Sequence, residues 1–244
     1  MLRIMSMALA LIAVFVVSCA AEIIPFNGKT TTEIMNRLPI LFTPASYVSA
    51  IWIFIYILLF AWLYKFWLNH QRISKSISNW RTILFILSAI FNILWILLWH
   101  YEFYHWTLLM IILVLATLIG LYFSYPKTNN NFFERVPISI YLGWVIISLI
   151  SIMNYVLTLH EWSGLGISNA LWTVIYLTLA TAIALHFMYH YRDIAFNIVF
   201  MWVFIGIAVK NGLDSLFVST AALFLTAVIG ASFFLMKNRY KPVK

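Results

Sequence analysis

The side chains in this sequence that could do chemistry are mostly aromatic, and several are spaced one helical turn apart. Trp52 and Tyr56 are four residues apart in an apolar stretch, and Trp172 and Tyr176 repeat this spacing. Residues four apart share one face of a helix. Each such face would offer two aromatic rings, an indole N–H and a phenol hydroxyl. The pattern indicates a surface suited to a flat, apolar ligand.

One amide and three further aromatic residues extend this candidate site. Asn92 and Trp95 lie in one apolar stretch, and Tyr141 and Trp144 in another. A polar side chain inside a membrane span must find a hydrogen bond. We therefore expect Asn92 to bond a neighbouring helix, a ligand, or both. For each deep tryptophan taken alone, core packing is the simpler explanation, and Trp99 is expected to be an anchor at the membrane interface.

Composition identifies the class of protein. The chain has 244 residues, of which 64% are hydrophobic and 9% charged, whereas soluble domains carry about 25% charged residues. Membrane-length apolar runs are continuous rather than alternating, which favours helices over barrel strands. The prediction is an all-α, polytopic transmembrane bundle. The runs lie at about 4–20, 46–67, 82–99, 106–124, 136–158, 169–189, 194–209 and 213–236.

The net charge of +8 is explained by topology rather than by nucleic acid. With the N-terminus inside, only Lys29, Arg37 and Lys210 of the 15 Lys and Arg residues fall in outer connections. The remaining cations fall inside, as the positive-inside rule requires. The expectation is a protein of the bacterial plasma membrane with both termini cytoplasmic, whose basic segments contact anionic lipid.

The first run has two interpretations. Residues 1–21 loosely resemble a signal peptide, and Val16-Val17-Ser18-Cys19 resembles a lipobox. A retained first helix is favoured because Arg3 alone is a weak basic start. Removal would leave seven spans and an N-terminus outside. Cys19 is the chain's one cysteine, so no internal disulfide can form.

The longest connection, residues 21–45, is predicted to lie outside. Thr30 and Glu33 have the spacing of a capping box, and a short helix should follow and end before Pro39. The segment is either a lid over the aromatic residues or a plain surface connection.

Catalytic chemistry is not indicated. No Asp, Glu, Lys or Arg lies near the middle of a run, which argues against an ion-coupled pump and an intramembrane hydrolase. His186 and His190 share a helix face, but interfacial histidines are more common than metal sites. We predict no catalytic residue and no metal site, and an enzyme is the least favoured class.

Three motifs carry a family resemblance. They are Pro44-x2-Tyr47-Val48-x3-Trp52-x3-Tyr56, Asn92-x2-Trp95 and Tyr141-Leu-x-Trp144. Together they resemble the TspO/MBR family, the tryptophan-rich sensory proteins related to the mitochondrial translocator protein. The chain departs from the family pattern at Ala45, at Tyr47 and at Ile152, where proline, tryptophan and asparagine are usual.

The resemblance implies a five-helix domain over residues 1–159, to which residues 160–244 add three spans and a basic cytoplasmic tail. It also implies a pocket under the first loop for a tetrapyrrole or another planar apolar ligand, and often a homodimer. No cofactor is required, although a porphyrin or haem could be bound. The predicted ligand-binding residues are Trp52, Tyr56, Asn92, Trp95, Tyr141, Trp144, Trp172 and Tyr176.

An internal repeat supports a rival reading. The Trp-x3-Tyr spacing at Trp52 and at Trp172 suggests two parallel three-helix units. Such units occur in small-solute transporters. The alternative function is therefore facilitative transport of a small neutral or amphipathic solute. In either case, the added helices are expected to form a second wall of the cavity.

Overall fold

The computed structural model describes residues 2–69, 74–126 and 132–237, with side chains to residue 235. Within these residues the chain is helical and contains no strand, which confirms the all-α prediction. Eight helices are long and apolar enough to cross a membrane. The α-helices are α1 Leu2–Ile23, α2 Thr31–Asn36, α3 Ile51–Asn69, α4 Lys75–His100, α5 Tyr104–Phe123, α6 Arg135–Leu159, α7 Asn169–Tyr191, α8 Ile194–Asn211 and α9 Leu216–Lys237.

Polar residues cap the starts of three long helices. Ser74 caps α4 by accepting a hydrogen bond from the Ile77 amide at 3.4 Å. The helix begins at Lys75. The predicted apolar run begins at about residue 82, because the first turns of the helix are polar. Ser168 and Asp193 cap α7 and α8 in the same way. Such caps satisfy amide groups that the helix itself leaves unpaired.

The predicted capping box is confirmed at α2. The Thr30 hydroxyl accepts from the Glu33 amide at 3.2 Å, and the Glu33 carboxylate accepts from the Thr30 amide at 2.7 Å. The helix ends at Asn36, somewhat before the end expected ahead of Pro39. The predicted basic C-terminal tail lies mainly outside the described residues.

Helix α6 is the centre of the bundle. In the most apolar stretch of α6, 67% of the residues are buried, compared with 22% in the corresponding stretch of α1. It packs against α5, α3 and α8, while α4 joins α1 to α5, and α9 covers α7 and α8. Gly143 permits the close approach of α6 and α8, since a Cβ there would lie 3.4 Å from the Phe196 carbonyl oxygen. The packing of α6 on α8 is therefore the main contact between the first five long helices and the last three, and α5 adds ring contacts with α7.

A buried polar cluster ties three elements together at the end of the bundle opposite α2. The Asp193 carboxylate accepts hydrogen bonds from Tyr122 at 2.8 Å and from Ser139 at 2.5 Å. The Arg135 guanidinium lies 3.9 Å from this carboxylate and donates to the Tyr191 carbonyl at 3.0 Å. Arg135 is 1% exposed and Asp193 is 3% exposed. The cluster fixes α5, α6 and the α7–α8 turn to one another.

We expect Asp193→Ala to lower the free energy of unfolding by about 3–5 kcal/mol, because it removes the acceptor of the Tyr122 and Ser139 hydrogen bonds and the negative charge beside the buried Arg135. The measurement is unfolding in mixed detergent micelles. Asp214→Ala, in the exposed α8–α9 turn, is the matched control and should have little effect. Equal stability of the two variants would show that the buried cluster does not hold the helices together.

Candidate functional site

A cavity of about 830 Å³ lies among α1, α3, α4 and α6, next to the connection between α1 and α3. We call residues 24–50 of this connection the roof. The roof supplies about a third of the cavity wall, including Met35, Asn36, Pro44 and Tyr47. Most of the lining is apolar, and Glu22 is its one charged residue among those described.

Trp52 lies at the centre of an aromatic cluster on the cavity wall. Its ring stacks on Tyr56, with centroids 5.6 Å apart and planes 20° apart. Trp95 and Trp144 lie 6.2 and 6.0 Å from it. These spacings are typical of favourable aromatic pairs. All four residues line the cavity, so four of the eight predicted site residues come together there.

Asn92 and Tyr141 lie behind this wall. The Asn92 amide donates a 2.7 Å hydrogen bond to the Tyr141 hydroxyl, and both side chains are buried. The Tyr141 ring in turn contacts Trp52, at 6.0 Å between centroids. Neither residue is part of the cavity lining. The pair therefore joins α4 to α6 and supports the Trp52 ring from behind.

Trp172 and Tyr176 lie elsewhere in the bundle. The Trp172 indole donates to the Gly164 carbonyl at 2.8 Å, and the Tyr176 ring meets Phe42 edge-on at 5.9 Å. Within the described chain, α7, α8 and α9 supply none of the residues that line this cavity. These helices do not form the expected second wall of this cavity.

Other lining residues were not singled out by the sequence. Ser18 on α1 is hydrogen-bonded to the Tyr56 hydroxyl and so joins α1 to the aromatic wall. Trp99 is 3% exposed and lines the cavity, so it is not the lipid-facing anchor that its place near the helix end suggested. Its ring packs on Tyr155 of α6, and local sequence pattern does not show a contact between residues so far apart in the chain.

Three buried polar atoms on lining residues have no hydrogen-bond partner among the described residues. They are the indole nitrogens of Trp99 and Trp144 and the hydroxyl of Thr43. A buried donor without a partner is costly. These atoms have almost no accessible surface, so a ligand with acceptor atoms could bond them only if the rings or the hydroxyl turned towards the cavity.

His100 lies fully buried beneath the roof and also lines the cavity. Its Nδ1 lies 2.8 Å from the Ile96 carbonyl oxygen. Because a carbonyl only accepts, the proton is assigned to Nδ1. Its Nε2 is 3.5 Å from the Thr31 hydroxyl, and Asn27 donates to the His100 carbonyl at 3.2 Å. The start of the roof is thus attached to the end of α4.

An ion cluster fastens the same part of the roof. Glu102 accepts from Lys29 at 2.6 Å and from Arg37 at 3.1 Å. The hydrogen bond from Lys29, with the charges of Lys29 and Arg37, lowers the pKa of Glu102. The tie is complete at neutral pH and is lost only as the pH falls through that lowered pKa. The side chains are partly exposed, so each pair contributes little on its own.

Histidine pairs occur away from the cavity. The rings of His186 and His190 lie 4.4 Å apart, and those of His105 and His160 lie 5.0 Å apart. In the part of the chain that the structure describes, no group of three or more His, Cys, Asp or Glu residues could hold a metal ion.

Comparison with known proteins agrees with this architecture. The sequence model of the family described as "TSPO-like protein" matches residues 4–235. No curated protein and no solved structure gives a significant match. The match extends beyond residues 1–159, which contain the three motifs, and includes α7, α8 and most of α9. The chain therefore belongs to the TSPO-like protein family and, with eight membrane-length helices, is an integral membrane protein.

Proposed function

We propose that this protein is a sensory or transport protein that binds a planar, apolar ligand of the tetrapyrrole class in the cavity beneath the roof. The observation that carries the proposal is the aromatic wall centred on Trp52, whose rings face a cavity of about 830 Å³. Small-molecule sites are typically clefts of about 300–1,000 Å³ with apolar and aromatic walls and few polar groups.

The chemistry of the wall supports a ligand that is flat and carries acceptor atoms. Trp52 and Tyr56 offer ring faces, and their apolar surroundings favour transfer of a ring system out of water. The unpaired indole N–H groups of Trp99 and Trp144 are donors without acceptors among the described residues. A tetrapyrrole combines a large planar ring with peripheral oxygen atoms, which could accept hydrogen bonds from these indole groups if ligand binding turned the rings towards the cavity.

The lining also suggests how a ligand enters. It includes Ile53 and Ile57 on α3, which are 63% and 60% exposed, and the half-exposed Phe15 on α1. In a membrane-spanning bundle, exposed apolar side chains of this kind face lipid. We propose that the ligand reaches the cavity from the bilayer, between α1 and α3, which suits a molecule that partitions into membranes.

The orientation follows from the charge distribution. We propose a bacterial plasma membrane location, cytoplasmic termini and a roof on the outer face, because the outer connections hold three of the 15 Lys and Arg residues. A homodimer is part of the same proposal and awaits a measurement of mass in detergent.

Replacing Trp52 should weaken ligand binding. We expect Trp52→Ala to raise the Kd for protoporphyrin IX about tenfold, because it removes the ring that organises the aromatic wall. The measurement is titration of the purified protein, followed by the porphyrin absorption band. Trp106→Ala is the control, since Trp106 is 59% exposed and lies outside the cavity.

If Trp52→Ala and Trp106→Ala raise the Kd for protoporphyrin IX equally, the ligand binds outside this cavity. Saturable passage of protoporphyrin IX across proteoliposomes, abolished by Trp52→Ala, would assign transport rather than sensing to the same cavity.

Replacing Trp172 should leave binding unchanged. We expect Trp172→Phe to alter the Kd for protoporphyrin IX by less than about twofold, because this ring bonds Gly164 and does not line the cavity. The same absorption titration measures it. A tenfold rise in the Kd would instead support the prediction, made from the repeated Trp-x3-Tyr spacing, that the added helices form a second wall of the cavity.

A further inference from the structure

The second half of the roof is attached to α8, one of the three added helices. Hydrogen bonds join them at four positions along α8. They run from Trp202 to the Val48 carbonyl at 3.3 Å, from the Ala45 amide to the Gly206 carbonyl at 3.0 Å, from Lys210 to the Asn36 side chain at 2.8 Å, and from Asn211 to the Leu41 carbonyl at 2.9 Å.

Gly206 is the point of closest approach. A Cβ at this position would lie 2.2 Å from Val48 Cγ2 and 3.2 Å from Pro44 Cβ. The first distance is far below van der Waals contact, and Val48 is fully buried. The roof can therefore rest on α8 only because residue 206 has no side chain.

The roof residues that α8 holds also form the cavity wall. Asn36 and Pro44 line the cavity, and so does Tyr47, whose ring packs on Trp202 at 5.5 Å between centroids. Helix α8 itself supplies no lining residue among those described. It touches the roof from the side away from the cavity and reaches any ligand only through the roof.

We propose that Gly206, Lys210 and Asn211 are positioning residues, and that α8 holds the roof in place and so limits access to the cavity from the aqueous side. The inference rests on the proposed function for the ligand, but the contacts between roof and helix do not depend on which ligand binds. The two attachments of the roof differ in kind and meet at residues 36 and 37. Glu102 holds Lys29 and Arg37 through partly exposed ion pairs. Helix α8 holds the segment from Asn36 to Val48 through close packing at Gly206 and through hydrogen bonds that range from exposed to partly buried.

The chain contains its own reporter of access. Cys19 is its one cysteine, is partly exposed and lines the cavity. Its rate of modification by a cationic methanethiosulfonate reagent measures entry past the roof, because a permanently charged reagent does not enter through lipid. This readout needs no ligand.

Gly206→Ala should raise the Cys19 modification rate about tenfold, because its Cβ displaces Val48 and breaks the hydrogen bonds between the roof and α8. Gly230→Ala on α9 is the matched control. Its Cβ would lie 3.4 Å from the flexible end of Met201, so the rate should stay at the wild-type value. Adding Val48→Ala to Gly206→Ala removes the clashing methyl group and should return the rate towards wild type.

A wild-type rate in Gly206→Ala would overturn the proposal, and so would equal acceleration by Gly206→Ala and Gly230→Ala. Acceleration by Gly206→Ala alone, with reversal by Val48→Ala, supports it. If that pattern appears while wild-type protein fails to bind protoporphyrin IX, the positioning role stands and the proposed ligand is wrong.

Lys210→Ala tests the same attachment without a steric clash. It removes the bond to Asn36 and should raise the Cys19 modification rate about threefold, a smaller effect because Lys210 is partly exposed. Val209→Ala, at a neighbouring exposed position on α8, should have no effect. Equal rates in both variants would contradict a role for Lys210 in holding the roof.

Discussion

A polar group buried inside a membrane bundle has no water to bond, and this constraint determines how the helices of this protein meet. The amide of Asn92 therefore bonds Tyr141 across α4 and α6, and the carboxylate of Asp193 collects donors from α5 and α6. Each bond joins helices that are distant in sequence. Helix α6 contributes a partner to both groups, Tyr141 to Asn92 and Ser139 to Asp193, and this agrees with its central position.

The same constraint leaves polar atoms without partners both on the cavity wall and behind it. Asn92 donates to Tyr141, and the pair holds the Trp52 ring from behind. The Asn92 side-chain oxygen has no partner among the described residues, and neither do the indole nitrogens of Trp99 and Trp144. The Tyr56 hydroxyl, on the wall, is bonded to Ser18. The aromatic ring faces therefore distinguish the wall better than its polar atoms do.

Sequence reasoning reached the spans, the capping box at Thr30 and the four aromatic residues that meet at the cavity. The spans and the capping box depend on local sequence pattern, and Trp52 and Tyr56 share a helix face because they are four residues apart. It placed Trp172 wrongly beside the others, because a repeated Trp-x3-Tyr spacing shows that two residues share a helix face but not which neighbour that face meets. It missed Trp99 and Gly206 for a related reason. Trp99 packs on Tyr155, and Gly206 meets Val48, and both partners are far away in the chain.

The attachment of the roof to α8 has a consequence for biosynthesis. Asn211 bonds Leu41 across 170 residues of sequence. Helices inserted in chain order would place the aromatic wall in the membrane while α8 was still inside the ribosome. The part of the roof from Asn36 to Val48 would lack its support until α8 arrived. A chain that stops after α6 would therefore contain Trp52 and its neighbours, and the attachment of the roof to α4, but not the surface on which the second half of the roof rests.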